Sequence, residues 1–213
     1  LKGRVQSVQQ AITYLGVREV AGITFEMGLR AAFPPSAELE PLWKRAAQRG
    51  LLMGRLAQRL SLDAWAAHSA GLFEECGKAV LFRHASDHYR AMLRAASSDS
   101  ELLTLEQAGF GVSHDALGAA LCESWGVAAS AVGSVRHHVA IQATLQVPEA
   151  LARRPIAVLS AIAAALMDRP ESLDGVVEQL APQAGLDLAP TLQVARQLAA
   201  ELQQAQTRET AAA

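Results

Sequence analysis

The stretch FGVSHDALGAALCESWGV, residues 110–127, is followed shortly by Arg136-His137-His138, and it decides how the chain is interpreted. Ser113 belongs to the residues that cap helices and Gly126 to those that end them, so a helix is predicted between the two. Gly118 inside this helix has no side chain, which lets a neighbouring helix approach closely. A further helix from about residue 128 then carries the two adjacent histidines. The pattern predicts histidines on short, closely packed helices.

Helical periodicity extends over the rest of the chain. Apolar residues recur at three- and four-residue spacing, alternating strand patterns are nearly absent, and alanine, the best helix former, is abundant. We therefore predict an all-α fold, a compact multi-helix domain with short connections. The predicted helix starts are Ser7, Ser36, Asp63, Ser86 and Ser113, and the predicted stops are Gly16, Pro34-Pro35, Gly109 and Gly126. The helix from Asp63 is predicted to continue through Leu81, and later helices across 155–168, 173–181 and about 190–208.

Composition and charge exclude several classes of protein. With 213 residues of which 51% are hydrophobic, the chain can bury a sizeable core. A net charge of -2 and scattered arginines give no attractive field for nucleic acid. Cys76 and Cys122 lack partner spacing and are typical of reduced, buried thiols in the cytosol. The longest apolar stretch, residues 155–167, is too short to cross a bilayer. A soluble, cytoplasmic protein without membrane or nucleic-acid partners is expected.

The candidate functional residues are the histidines and a pair of glutamates. A metal site needs three or more nitrogen or carboxylate donors from separate helices, and Glu74, Glu75, His114 and one of His137 and His138 could supply them. Adjacent histidines diverge by about a hundred degrees on a helix, so at most one of that pair is a ligand. The alternative is structural, since a histidine at a helix start often bonds to the next helix. Motifs for acyl transfer, phosphate-loop hydrolysis and zinc proteases are absent from the sequence.

Taken together, these elements resemble the HDOD domain, a signalling offshoot of the HD metal-dependent phosphohydrolases. The resemblance rests on VQSVQQAITYLGVREV (residues 5–20), Trp43, Gly71-Leu72 with Gly77, and the series His114, Gly118, Trp125 and His137-His138. It implies an HDOD-like helical domain over residues 1–168 and a C-terminal helical extension over 169–213, packed on that domain or appended to it. The family normally has further helices before the first of these elements, so we expect those N-terminal helices to be missing.

Four residues of the resemblance are expected to be structural. Gly71, Gly77 and Gly118 would allow close helix approach. Trp125, just ahead of a helix-ending glycine, is expected to be a large core plug whose truncation costs about 3–5 kcal/mol.

The resemblance also implies that the catalytic pattern of the HD parent is eroded. Its first histidine ligand, expected two residues after Trp43, is Arg45 here, and its His-Asp pair is Glu74-Glu75. The helix at 155–168, where a late aspartate is expected, offers an apolar face. We therefore expect Arg45 to replace the charge of the lost metal by pairing with Glu74, Glu75 or both in a semi-buried cleft. The vestigial pocket would comprise Arg45, Glu74, Glu75, His114, His137 and His138, with no metal and no cofactor.

These features predict a non-catalytic output domain of bacterial signal transduction that binds a protein partner or a neighbouring signalling domain. One alternative is a divergent metal-dependent phosphohydrolase acting on a cyclic nucleotide. Another is a ligand sensor that retains the pocket without the chemistry. Bound metal separates the enzyme from the other two, and a ligand-induced rise in melting temperature separates the sensor from the interaction domain.

Overall fold

The structure is a computed structural model that describes residues 7–33 and 36–212. The described residues form twelve α-helices and three short 3-10 turns and contain no strand, which confirms the all-α prediction. The helices are α1 (Val8–Leu15), α2 (Val17–Ala31), α3 (Glu40–Arg59), α4 (Ala64–Phe73), α5 (Cys76–His84), α6 (Ser86–Ala95), α7 (Asp99–Phe110), α8 (His114–Ser124), α9 (Ala129–Thr144), α10 (Pro155–Asp168), α11 (Leu173–Leu180) and α12 (Leu188–Ala212). None of these helices combines the length and the apolar character needed to cross a bilayer.

The α10 helix lies in the middle of the main apolar core. Every residue from Ile156 to Leu166 is buried, as expected for a helix that is apolar on all sides. It packs against α3, α4, α9, α11 and α12. Leu180 of α11 and Leu198 of α12 belong to the same core, so the C-terminal helices pack on the rest of the chain.

Three glycines stand where helices cross at short range. A Cβ atom at Gly71 would lie 2.7 Å from the backbone nitrogen of Gly50, which brings α4 against α3. A Cβ at Gly77 would lie 1.8 Å from the carbonyl oxygen of His114, and one at Gly118 would lie 2.9 Å from that of Phe73. No larger residue fits these crossings without moving a backbone.

Some predicted helix boundaries are correct. The Ser7 side chain accepts a hydrogen bond from the Gln10 amide at 3.1 Å, and the Asp63 side chain accepts one from the Ala66 amide at 3.0 Å. Both are helix caps of the predicted kind.

Other predicted boundaries are wrong. The third helix begins at Glu40, because the Ser36 hydroxyl bonds to the Glu38 side chain at 2.6 Å instead of capping a helix. The predicted start at Ser86 is correct, since α6 begins there, and only its expected capping bond is absent. Gly109 lies inside α7, which ends at Phe110 and is capped by Gly111, where φ is 71°. The predicted stop at Pro34-Pro35 lies outside the described residues.

The predicted continuous helix from Asp63 through Leu81 is also wrong, and this error matters for the site. The chain bends at Glu74-Glu75, between α4 and α5. The bend lets Gly77 press against the backbone of His114, so that α5 packs on α8. Glu74 and Glu75 therefore occupy a corner that points into the protein, and their exposed fractions are 0% and 3%.

Trp125 is not the fully buried plug that the sequence predicts, because 38% of it remains exposed. Its ring packs edge-on against Phe25 at 5.6 Å and against Phe73 at 5.8 Å between centroids. Trp125 thus covers one end of the core and keeps part of its surface in solvent.

Candidate functional site

Glu75 is the centre of a buried ion-pair cluster. Its carboxylate lies 3.3 Å from Arg45 Nε, 3.2 Å from Arg49 Nη1 and 3.0 Å from Lys78 Nζ. Burial by itself raises the pKa of Glu75, but the three neighbouring cations hold it far below its ordinary value. Glu75 is therefore a fully ionised hub that joins α3 to α5.

Glu74 is paired by Arg49, which is not among the site residues predicted from the sequence. Arg49 Nη1 donates to Glu74 Oε2 at 2.7 Å, and the two side chains are 1% and 0% exposed. Burial lowers the pKa of the Arg49 guanidinium, but the two glutamates raise it above its ordinary value. Of the two partners expected for Arg45, Glu75 is contacted by Arg45, whereas Glu74 is paired by Arg49. A signal for Arg49 exists in the sequence, since it lies three residues after the buried Ala46 and so on the apolar stripe of α3.

Arg45 forms the outer part of the cluster. It reaches Glu75 as expected, but its main partner is Asp168, with Nη1–Oδ1 and Nη2–Oδ2 distances of 2.8 and 2.5 Å. The hydrogen bond from Arg45 lowers the pKa of Asp168. The expectation that the helix at 155–168 offers only an apolar face is wrong, because its last residue supplies this carboxylate. On the opposite side, Lys78 Nζ lies 2.9 Å from Asp99.

His114 belongs to a second buried cluster that adjoins the first. Its backbone amide and its Nδ1 each lie 2.8 Å from Glu106 Oε2, and the Tyr89 hydroxyl donates to Glu106 Oε1 at 2.6 Å. These contacts tie the start of α8 to α7 through one buried carboxylate. Glu106 is not among the residues predicted from the sequence, although its place four residues after the buried Leu102 on α7 puts it on the inner face.

His138 lies next to His114, with 5.7 Å between the ring centroids. Its Nδ1 lies 2.7 Å from the carbonyl oxygen of Val135, and burial lowers its pKa despite the nearby charge of Glu74. His137 is only partly buried and takes part in none of these contacts. The adjacent histidines therefore diverge, and only His138 faces the interior.

The donors do not fit a bound metal ion in this arrangement. Three buried atoms, Glu74 Oε1, His114 Nε2 and His138 Nε2, lack a hydrogen-bond partner, and their chemistry suits a metal. Arg49, however, holds a positive charge against Glu74. Within the described residues, no three His, Cys, Asp or Glu side chains are arranged to bind a metal.

The pocket that was expected to be a semi-buried cleft lies in the interior of the protein. Arg49, Glu74, Glu75, His114 and His138 are each exposed by 3% or less. Solvent reaches the edges of the site, where the side chains of Arg45 and Asp168 are each 37% exposed and that of Asp99 is 38% exposed.

Comparison with known proteins agrees with this fold. A family model for the HDOD domain matches residues 1–141, so the chain belongs to the HDOD domain family and the resemblance is confirmed. No curated protein matches the sequence. A crystal structure of a proposed phosphohydrolase from Shewanella amazonensis SB2B has a TM-score of 0.68 and 17% identity, over 91% of this chain and 73% of that one. A proposed signal transduction protein from Marinobacter aquaeolei VT8 has a TM-score of 0.65 and 22% identity, over 93% of this chain and 48% of that one. At these identities the likeness shows the fold alone.

Proposed function

We propose that this chain is a non-catalytic output domain of bacterial signal transduction, which acts by binding a protein partner or a neighbouring signalling domain. The observation that carries the proposal is the Arg49–Glu74 pair, in which the guanidinium and carboxylate lie 2.7 Å apart in the interior. A hydrolase of the HD type needs a metal to activate its attacking water. Here the cations of the chain itself neutralise the carboxylates that would bind that metal.

Electrostatics support this reading. Two unit charges of the same sign about 5 Å apart repel by about 3 kcal/mol at an effective dielectric of about 20, and a divalent ion doubles the repulsion. A metal ion bound to Glu74 would meet this repulsion from Arg49, which is almost wholly removed from solvent screening. The same ion would compete with Lys78 and Arg45 for Glu75.

The comparisons support the signalling role, since the family is HDOD and one protein of similar fold carries a signal-transduction name. Cys76 and Cys122 are buried and unpaired, which favours the reducing cytoplasm as its compartment. The net charge of -2 favours a protein partner over nucleic acid.

A turnover assay tests the proposal. The purified chain, supplied with Mn²⁺ or Zn²⁺, is offered bis(p-nitrophenyl) phosphate and cyclic dinucleotides, and we expect no hydrolysis above that of the metal alone. Hydrolysis that scales with protein concentration and disappears in a folded Glu75→Gln variant would overturn the proposal.

In the source cell, cross-linking should yield a protein partner that the wild type and a folded His138→Asn variant bind equally. A signalling output that requires the His138 imidazole would contradict it.

A further inference from the structure

The solvent-facing side of α3 combines an exposed leucine with two cations that form no ion pair among the described residues. Its four members are exposed and follow one another at a spacing of three or four residues: Lys44, Gln48, Leu51 and Arg55. We infer that this α3 face, together with Trp65 of α4, is the surface on which the protein partner docks, and that the partner presents an acidic amphipathic helix. The inference rests on the proposed function, which requires a protein partner and leaves its binding face open.

Lys44 and Arg55 differ from the other cations of α3. Three further cations of the helix are paired with carboxylates, namely Arg45, Arg49 and Arg59. In the part of the chain that the structure describes, neither Lys44 nor Arg55 has such a pair. The only acid of α3 is Glu40, which pairs with Arg30 at 2.6 Å at the start of the helix. The α3 face therefore presents uncompensated positive charge, which carboxylates of a partner would complement.

Leu51 and Trp65 form the apolar part of the surface, and they are 43% and 39% exposed. Gly54 follows Leu51 by three residues and lies against α4, because a Cβ at Gly54 would be 3.4 Å from the Cβ of His68. The His68 ring stacks on the Trp65 indole with 6.0 Å between the ring centroids. The apolar surface thus continues from α3 to α4. A tryptophan held in place by its neighbours is the kind of side chain on which binding energy concentrates.

The spacing of the two cations defines the shape of the partner. Lys44 and Arg55 are eleven residues apart on one helix, and at a rise of about 1.5 Å per residue their backbones are about 16 Å apart. Leu51 lies between them. A helix that packs along α3 would therefore carry two carboxylates about three turns apart, with apolar side chains between them that contact Leu51 and Trp65. Two cations are too few for a membrane surface, which is bound by clusters of about 4–8 lysines and arginines.

Site-specific photo-cross-linking in the source cell tests the inference. With p-benzoylphenylalanine in place of Gln48, the protein should cross-link to another protein. The cross-linked peptide should carry two carboxylate side chains about three helical turns apart with apolar residues between them. The matched control carries the same probe in place of Leu93 of α6, which is 42% exposed and lies on a different helix. That position should give no cross-link to this peptide.

Charge reversal measures the contribution of the two cations. Lys44→Glu with Arg55→Glu should weaken binding of the cross-linked partner about tenfold or more, and lysines in place of the partner's two carboxylates should restore it. Because both side chains are exposed, the Tm should stay within about 3 °C of that of the wild type. Lys44→Gln with Arg55→Gln removes the charges without reversing them and should give a smaller loss. Arg94→Glu is the matched control, since Arg94 is also exposed and forms no ion pair among the described residues. It should bind the partner as the wild type does.

The apolar part has its own pair of variants. Leu51→Ala should weaken binding, whereas Leu93→Ala, at a leucine of nearly equal exposure, should leave it unchanged.

The remaining outcomes contradict the inference. A partner that cross-links from position 93 and not from position 48, or that binds the wild type and the charge-reversed variant equally, overturns the inference and leaves the proposed function intact. The inference also fails if position 48 cross-links to a peptide without carboxylates or to a second copy of this chain. Binding to vesicles of phosphatidylcholine and phosphatidylserine that charge reversal abolishes would assign the α3 face to a lipid surface instead. If an amine-reactive cross-linker applied to the wild type also yields no protein partner, the proposed function itself fails.

Discussion

The guanidinium of Arg49 lies 2.7 Å from the carboxylate of Glu74, and neither side chain is more than 1% exposed. This pair joins the middle of α3 to the bend between α4 and α5, next to the two buried imidazoles. The pair between Arg45 and Asp168 lies at the rim, where both side chains are 37% exposed. Removal of Arg49 should therefore cost more stability than removal of Arg45, because loss of one partner from a buried pair leaves an uncompensated charge.

Arg45→Met should destabilise the protein by about 1 kcal/mol, while Arg49→Met should cost about 3–5 kcal/mol. The difference arises because Glu75 keeps Arg49 and Lys78 when Arg45 is lost. Urea unfolding of both variants measures it. A loss at Arg45 equal to that at Arg49 would contradict the assignment of inner and outer roles.

Gly118→Ala should destabilise the fold by about 1–3 kcal/mol, because the new methyl group would lie 2.9 Å from the carbonyl oxygen of Phe73. Gly175 of α11 is the matched control, since a Cβ there meets nothing within 4 Å. Gly175→Ala should stabilise the protein by up to about 1 kcal/mol, through the higher helix propensity of alanine. Equal effects of the two substitutions in urea unfolding would exclude a tight crossing at Gly118.

Trp125→Ala should cost about 1–3 kcal/mol, less than the 3–5 kcal/mol typical of fully buried aromatic residues. The reason is its 38% exposure. Phe73, which is 0% exposed, provides the comparison, and Phe73→Ala should show the full loss. If Trp125→Ala lowers the free energy of unfolding as much as Phe73→Ala does, the indole contributes more to stability than its partial burial indicates.

The sequence predicts the helices better than their junctions. The apolar stretch of residues 155–167 identifies α10, and side-chain caps identify the starts at Ser7 and Asp63, because both signals are local. The bend at Glu74-Glu75 was missed because its cause is not local. It depends on the contact between Gly77 and the backbone of His114, which is distant in sequence.

The site was predicted in part for the same reason. The resemblance to HDOD identified Glu74, Glu75 and the histidines as candidate site residues, but not the partners that neutralise or orient them. Arg49 and Glu106 are polar residues on the apolar faces of their helices, and a pattern of apolar spacing does not predict which polar residues on such a face are buried. Asp168 was missed because the late carboxylate was sought inside its helix and not at its end.

Lowering the pH should decrease the free energy of unfolding in two steps. Burial lowers the pKa of His138 in the folded protein from its ordinary value of 6.5. As the pH falls through 6.5, the unfolded chain takes up a proton that the folded protein does not, so the free energy of unfolding decreases. Glu75 acts at lower pH, because its pKa lies below the ordinary 4.5 in the folded protein and its contribution is lost as the pH falls below that value.

Urea unfolding at several pH values separates the two steps. His138→Asn keeps a donor for the carbonyl oxygen of Val135 but does not titrate, so its stability should be flatter between about pH 7 and 5. If the variant and the wild type lose stability in parallel over this range, His138 is not the group responsible.

Elemental analysis of the purified wild-type protein after dialysis shows whether the buried glutamates are neutralised by the protein's own cations or by a metal ion. Because Arg49, Arg45 and Lys78 already neutralise the buried glutamates, we predict no stoichiometric iron, manganese or zinc. One equivalent of any of these metals that survives dialysis, and that is lost from a Glu75→Ala variant, would contradict the account.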